Sequence, residues 1–303
     1  MDMTVKENKM NLLGKYINGN YNVSIYLDGT KVRETLVPED TMFVSEFPEC
    51  MDVKITNQCD MGCKFCHEDS TIDGLHGELL NNKFINTLHP YTEIAIGGGN
   101  PLSHPQFFDF LDLLKSKNII ANVTVNQTHF MQNIKLINGL LLANLIKGLG
   151  VSFTHYDEEF IKLAQSYPNL VLHVINGVVK YSDLEKMFGK NLKLLILGYK
   201  NIRRGADYYS PKVEDNKTII YDNICKITEG FKVTSFDNLA IKQLELKRIF
   251  SDKDWNEFYM GDDGQFTMYI DLVKQEFARS STSQKRYELM DNIEDMFNIV
   301  KSE

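Results

Sequence analysis

The chain has 303 residues, 43% hydrophobic and 24% charged, the profile of a soluble globular protein long enough for one large α/β domain or a domain with an appendage. Its formal net charge of −8 argues against a general nucleic-acid binder, because affinity for polyanions comes mainly from Lys and Arg. The polar opening MDMTVKENKMN has no apolar run of the signal-peptide kind, and the greasiest stretch, Ile137 to Phe153, is broken by Asn144 and Lys147 and is too short to span a bilayer. The expectation is a cytoplasmic protein with reduced thiols and no membrane contact.

In chain order, residues 1–48 read as a small β preface. Asn22 to Leu27 alternates, Asp28 and Gly29 signal a turn, Lys31 to Val37 is strand-like, and Pro38 and Pro48 punctuate the way into the main domain. From residue 49 a strand–loop–helix rhythm begins. Six short apolar strands are expected at Asp52–Thr56, Glu93–Gly97, Ile119–Asn126, Gly148–Thr154, Leu170–Asn176 and Leu192–Gly198. Helices are expected near Glu78–Leu88, Gln106–Lys117, Phe130–Lys147, Glu158–Gln165 and Asp183–Phe188. Strands and helices alternating at this spacing imply parallel pairing, which places ligand chemistry at the C-terminal ends of the strands. After Gly198 the rhythm fails. Residues 199–235 read as irregular, Phe258–Ile270 as a β-hairpin turning on Gly and Asp, and 283–301 as an amphipathic helix. Residues 206–303 thus form an α+β extension to a core at 49–205.

Three of the five cysteines, Cys59, Cys63 and Cys66, lie within eight residues, directly after the first strand of the core. Three thiolates on one loop make a soft anionic pocket suited to an iron–sulfur cluster or to zinc. Zinc would recruit His67 as a fourth ligand, although adjacent residues rarely reach one metal together without strain. A disulfide framework does not suit an odd, crowded set in a reducing compartment. A cubane of four irons held by three cysteines leaves one iron free for a ligand that is not protein.

The run resembles the cluster loop of the radical S-adenosylmethionine (SAM) enzymes, where the free iron is chelated by the amino and carboxylate groups of SAM. The resemblance extends along residues 50–205. Phe65 stands where that family places an aromatic against the cluster and adenine. The second strand ends in Gly97, Gly98, Gly99, Asn100 and Pro101, similar to the family's Gly-Gly-Glu-Pro segment that holds the SAM amino group. Gly98, Gly99 and Pro101 match, whereas Asn100 replaces the glutamate and lacks its charge. Asn126 ends the third strand and Ser152 the fourth, at positions the family uses for the SAM ribose. Tyr199 follows the sixth strand, near backbone that often touches adenine. Each of these residues also has a plain reading as strand-end packing or turn chemistry. Lys200, Arg203 and Arg204 read either as partners for a substrate carboxylate or phosphate or as a solvated basic loop.

The resemblance implies a partial (β/α)6 TIM barrel of the radical SAM type. It also implies a [4Fe-4S] cluster on Cys59, Cys63 and Cys66, SAM as second cofactor, a flavodoxin- or ferredoxin-like electron donor, and oxygen sensitivity. Reductive cleavage of SAM would give a 5′-deoxyadenosyl radical that abstracts hydrogen from the substrate. The C-terminal extension resembles a cluster-free SPASM or twitch-like region, which favours a peptide or protein substrate. A small molecule or nucleotide is the alternative, and a non-catalytic iron–sulfur or zinc protein the alternative of another class. Cys50 and Cys225 are too few to hold a second cluster; Cys225 is a candidate hydrogen-atom donor or acceptor, with a buried inert thiol as its plain reading. Trp255, Phe258, Tyr259, Asp262, Asp263, Tyr269 and Asp271 are candidate channel-lining groups, although core packing accounts for most of them.

Overall fold

The computed structural model describes residues 11–303; the polar opening on which the absence of a signal peptide was read lies outside them. A three-stranded antiparallel sheet comes first, β1 (Leu12–Asn18), β2 (Tyr21–Tyr26) and β3 (Lys31–Thr35). The main sheet follows: β4 (Cys50–Thr56), β5 (Glu93–Gly98), β6 (Ile120–Asn126), β7 (Gly148–Ser152), β8 (Leu170–Ile175), β9 (Lys193–Leu197), β10 (Val233–Phe236), β11 (Thr267–Asp271), β12 (Glu276–Ala278) and β13 (Tyr287–Glu288). Its spatial order is β10-β9-β8-β7-β6-β5-β4-β11-β12-β13, parallel from β10 through to β11 and antiparallel beyond. All six expected strands are present in parallel register.

Alternation along each strand separates two faces. Met51, Val53 and Ile55 of β4 enter the main core with Phe107, Phe110, Leu111 and Leu114 of α1 (Phe107–Ser116) and Phe160, Ile161 and Ala164 of α4 (Glu158–Gln165). The other face carries Asp52, Lys54, Asn122, Thr124, Gly150, Ser152 and His173 and is polar. The sheet curls around that face. Laid flat, seven strand spacings of about 4.8 Å would part β10 from β11 by roughly 34 Å. Yet Asn238, two residues past β10, donates to Asp263, four residues before β11, over 2.8 Å. Six residues of chain reach only about 20 Å, so curvature supplies the rest.

The segment expected to be irregular, 199–235, instead folds into α6 (Arg204–Tyr208), α7 (Pro211–Asp222), α8 (Ile224–Gly230) and strand β10. Pro211 stands at the first helical position after Ser210, a start signal that the sequence carries. The helix expected at Phe130–Lys147 is two, α2 (Gln127–Gln132) and α3 (Ile134–Leu142), parted at Asn133, whose amide bonds back to His129 O at 2.8 Å. The one expected at Glu78–Leu88 shrinks to a 3-10 turn at Lys83–Thr87, because the Glu78 carboxylate takes the N–H groups of Leu80 and Asn81. The hairpin expected at Phe258–Ile270 lies further on, between β11 and β12, since Thr267 to Asp271 pairs in parallel with β4. The terminal helix, α11 (Ile293–Lys301), begins ten residues later than expected, where Asn292 caps it through Glu294 N and Asp295 N.

The small sheet docks against the N-terminal ends of the main strands. Tyr21, Val23 and Ile25 pack with Ile120 and Phe266 as a satellite core. Beside them Lys31 bridges Glu49 (3.2 Å) and Glu93 (2.8 Å), and Arg33 forks onto Glu49 (2.7 and 3.0 Å). The Tyr21 hydroxyl also donates to Glu49, at 2.6 Å. No helix among the described residues is long and apolar enough to cross a membrane.

Candidate functional site

The cysteine loop leaves the C-terminal end of β4 and is pinned where it starts and ends. Residues 71–77 fold back along it: Asn57 N donates to Leu75 O (2.8 Å), Cys59 N to Thr71 O (2.7 Å) and Gly77 N to Ile55 O (2.8 Å). Asp60 accepts from the buried His129 of α2 at 2.6 Å. Cys59, Cys63 and Cys66 are half-buried free thiols. Burial pushes Cys59 up, and burial with the charges of Cys66 and Cys59 does the same to Cys63.

The glycine loop after β5 lies directly on the root of the cysteine loop. Gly99 N donates to Thr56 O and Asn100 N to Gln58 O, both at 2.7 Å. Gly98 has φ +111°, and a Cβ at Gly99 would strike the Gln58 carbonyl, so both positions require glycine on packing grounds alone. The Asn100 side chain accepts from Leu102 N at 3.2 Å and caps the 3-10 turn at Pro101–Ser103; Pro101 is buried. Asn126 likewise caps α2 through Thr128 N at 2.9 Å. Ser152 is half-buried on the polar face, in register with His173. Tyr199 is buried, its hydroxyl donating to Gly205 O (2.6 Å) and its backbone bonded at both N and O to Gln243 (2.8 Å each). Phe65 meets Tyr208 edge-on at 5.7 Å. These residues converge around the strand ends. Cys225 does not join them: it sits on α8 and is exposed, which corrects the reading of a buried thiol.

Lys200, Arg203 and Arg204 do not form a solvated loop. They grip the residues that follow Cys66. Lys200 Nζ lies 3.1 Å from His67 Nε2 and 2.8 Å from Ser281 Oγ. Arg203 donates to His67 O (2.9 Å) and to the Glu68 carboxylate (3.3 Å), and Arg204 N donates to Asp69 (3.1 Å). Beneath them Lys54 of β4, itself buried, bridges Glu68 (2.7 Å) and Asp271 of β11 (3.3 Å). Burial alone would raise Glu68, but its contact with His67 and the Lys54 ammonium outweigh that and hold it well below the usual carboxylate range. Burial and Lys200 push His67 down.

Sequence reasoning missed this network, and it missed His173. The His173 ring lies over Gly150, in space that a side chain there would fill, and next to Thr124. Neither ring nitrogen has a hydrogen-bond partner among the described residues, and burial pushes the group down to about 4. Asp52, in the middle of the polar face, is exposed there.

A small cleft of about 30 Å³ opens between Phe65, His67 and the ends of β8 and β9 (Ile175, Leu197). It admits a water rather than a nucleoside; on the polar face nothing stands within 4 Å of a Cβ at Gly97. A roomier cavity of about 350 Å³ lies at the opposite end, among Phe43, Ser45, Gln265, Arg279 and Lys301, and contains none of the cysteines. Among the described residues, no three His, Cys, Asp or Glu side chains converge to hold one ion. A cluster asks for no such convergence, because each thiolate takes a different iron.

No protein-family model matches the chain, and no curated protein matches it in sequence. Solved structures do. Streptococcus suis SuiB bound to precursor peptide SuiA superposes with a TM-score of 0.53 at 14% identity, covering 84% of this chain and 65% of that one. SuiB bound to SAM gives 0.53 at 13% identity, over 81% and 64%. A further SuiB structure gives 0.54 at 12%, over 94% and 85%. The likeness is one of fold. The chain spans slightly under two thirds of the first two SuiB chains.

Proposed function

We propose that this chain is a radical SAM enzyme acting on a peptide, with a [4Fe-4S] cluster on Cys59, Cys63 and Cys66. The observation that carries the reading is the juxtaposition of three half-buried free thiols on one loop with a glycine loop at the C-terminal ends of parallel strands, in a fold shared with a protein solved with SAM and with a precursor peptide. The donor set fits the cluster, since soft thiolates favour iron and sulfide, and three of them leave one iron for SAM. On this reading residues 49–205 are a partial (β/α)6 barrel, 1–48 its preface and 206–303 a substrate-binding extension.

A cluster held by Cys59, Cys63 and Cys66 would supply one-electron reducing power toward the SAM sulfonium, drawn from a flavodoxin- or ferredoxin-like donor. The chain's own part is orientation and exclusion of water. Carbonyls and N–H groups around Gly97 and Gly98 would face the methionine moiety, with the Asn100 amide already engaged by Leu102 N. Ser152 and Asn126 would meet the ribose, while Phe65 and the backbone at Tyr199 would flank the adenine beside the small cleft. Asp52 and His173, both without a hydrogen-bond partner among the described residues, are left facing the substrate.

Anaerobic reconstitution should load about four irons per chain, and dithionite with SAM should then release 5′-deoxyadenosine. Cys59→Ala should abolish both. One zinc per chain and no SAM cleavage would overturn the proposal.

A further inference from the structure

The two ends of the cysteine loop are held by different kinds of bond. Cys59 is tied by its own backbone to the returning chain at Thr71. Cys66 makes backbone bonds only within its own loop, to Cys63 O at 3.2 Å and from Asp69 N at 3.4 Å. What fixes its end to the sheet is the stretch 67–70, and there the anchors are side chains. Arg203 takes the His67 carbonyl, Arg204 takes Asp69 and the Ser70 carbonyl, and the Glu68 carboxylate takes both Lys54 and Arg203. Glu68 is the group that meets the loop after β9 and a strand residue at once, and Lys54 passes the tie on to Asp271 of β11. Asp69 on the cysteine loop and Arg203 after β9 each have φ +51°, a left-handed backbone that non-glycine residues keep only where their surroundings hold it.

We propose that Glu68 is a positioning residue: with Lys54, Arg203 and Asp271 it forms a latch that sets where the Cys66 thiol stands above the sheet. The inference rests on the cluster reading above for its purpose, though not for its test. Removing the charge unties residues 67–70 from Lys54 on the sheet, so the stretch can shift together with the loop after β9 to which Arg203 and Arg204 still hold it, and Cys66 moves with it while Cys59 stays. A third thiolate that wanders binds its iron weakly.

The experiment compares wild type, Glu68→Gln and the double variant Lys54→Met/Glu68→Gln, which removes both charges of the Lys54–Glu68 pair and leaves the net charge unchanged. On metal-free protein, iodoacetamide labelling followed by peptide mass mapping should show Cys66 reacting several-fold faster than in wild type, relative to Cys59, in both variants. The melting temperature should fall in Glu68→Gln and recover in the double variant, which separates positioning from stability. After anaerobic reconstitution both variants should hold less than half the wild-type iron, with a displaced midpoint potential for what remains. A double variant that is stable, labels like wild type and carries wild-type iron at the wild-type potential would overturn the latch. If wild type itself takes up no iron, the cluster reading falls, and the labelling ratio alone still decides the latch.

Discussion

Two buried charge networks brace opposite ends of one sheet, and they are built for different ends. At the N-terminal ends, Glu49 joins Lys31, Arg33 and Tyr21, clamping a separate antiparallel sheet against the main one. At the C-terminal ends, Glu68 joins Lys54 and Arg203, clamping a loop that carries half-buried thiols. The first is backed by a small apolar core around Tyr21, Val23, Ile25 and Phe266. The second has polar neighbours on most sides, among them Lys200, Ser281 and Asp271. A charge cluster seated on apolar packing stabilises a joint between elements, whereas one seated among polar groups holds a loop in place and leaves its tip free to bind.

The largest expected break in this comparison is at Glu49. Removing one partner from a buried ion pair costs about 3–5 kcal/mol, so Glu49→Ala should lower global stability by that order in chemical denaturation, without changing the relative labelling of Cys66 and Cys59. The same site gives a pH dependence with a definite sign. Burial alone would raise Glu49, but Lys31 and Arg33 hold it below the ordinary carboxylate value. Its contribution is therefore complete at neutral pH and is lost as pH falls beneath the normal carboxylate range, below about 4. Denaturation followed across acid pH should show a steep loss in wild type and a flatter one in Glu49→Gln; an unchanged acid limb would count against the assignment. A middle-sized effect is expected at Gly99→Ala, where the new Cβ meets the Gln58 carbonyl. A loss of roughly 1–3 kcal/mol should come with faster labelling of Cys59, the cysteine nearest that contact in the chain. The smallest is Cys225→Ala, exposed on α8, which should leave stability within about 0.5 kcal/mol and leave iron content untouched.

Much of this architecture was legible in the residues. The alternation of short apolar strands with helices announced the parallel sheet, and Cys59, Cys63 and Cys66 marked one loop of it as chemically distinct. What stayed hidden depends on contacts between distant parts of the chain. Lys54 pairs with both Glu68 and Asp271, and no periodicity reports that the three are neighbours. One clue was present: a lysine inside the apolar strand MDVKIT has to find an acid. Lys200, Arg203 and Arg204 read as solvated cations because their acceptors, including two backbone carbonyls, lie about 135 residues away in the chain. Asn100 and Asn126 turned out to be occupied locally as caps, a role that their strand-end positions already permitted.

The flank where β10 approaches β11 is closed by side chains alone. Among the described residues no backbone bond crosses it; Asn238 with Asp263 and Lys200 with Ser281 do the work. Parting such contacts trades each for water, at about 1 kcal/mol apiece, far less than unzipping a strand ladder. This flank is therefore the seam of the sheet that parts at the least cost.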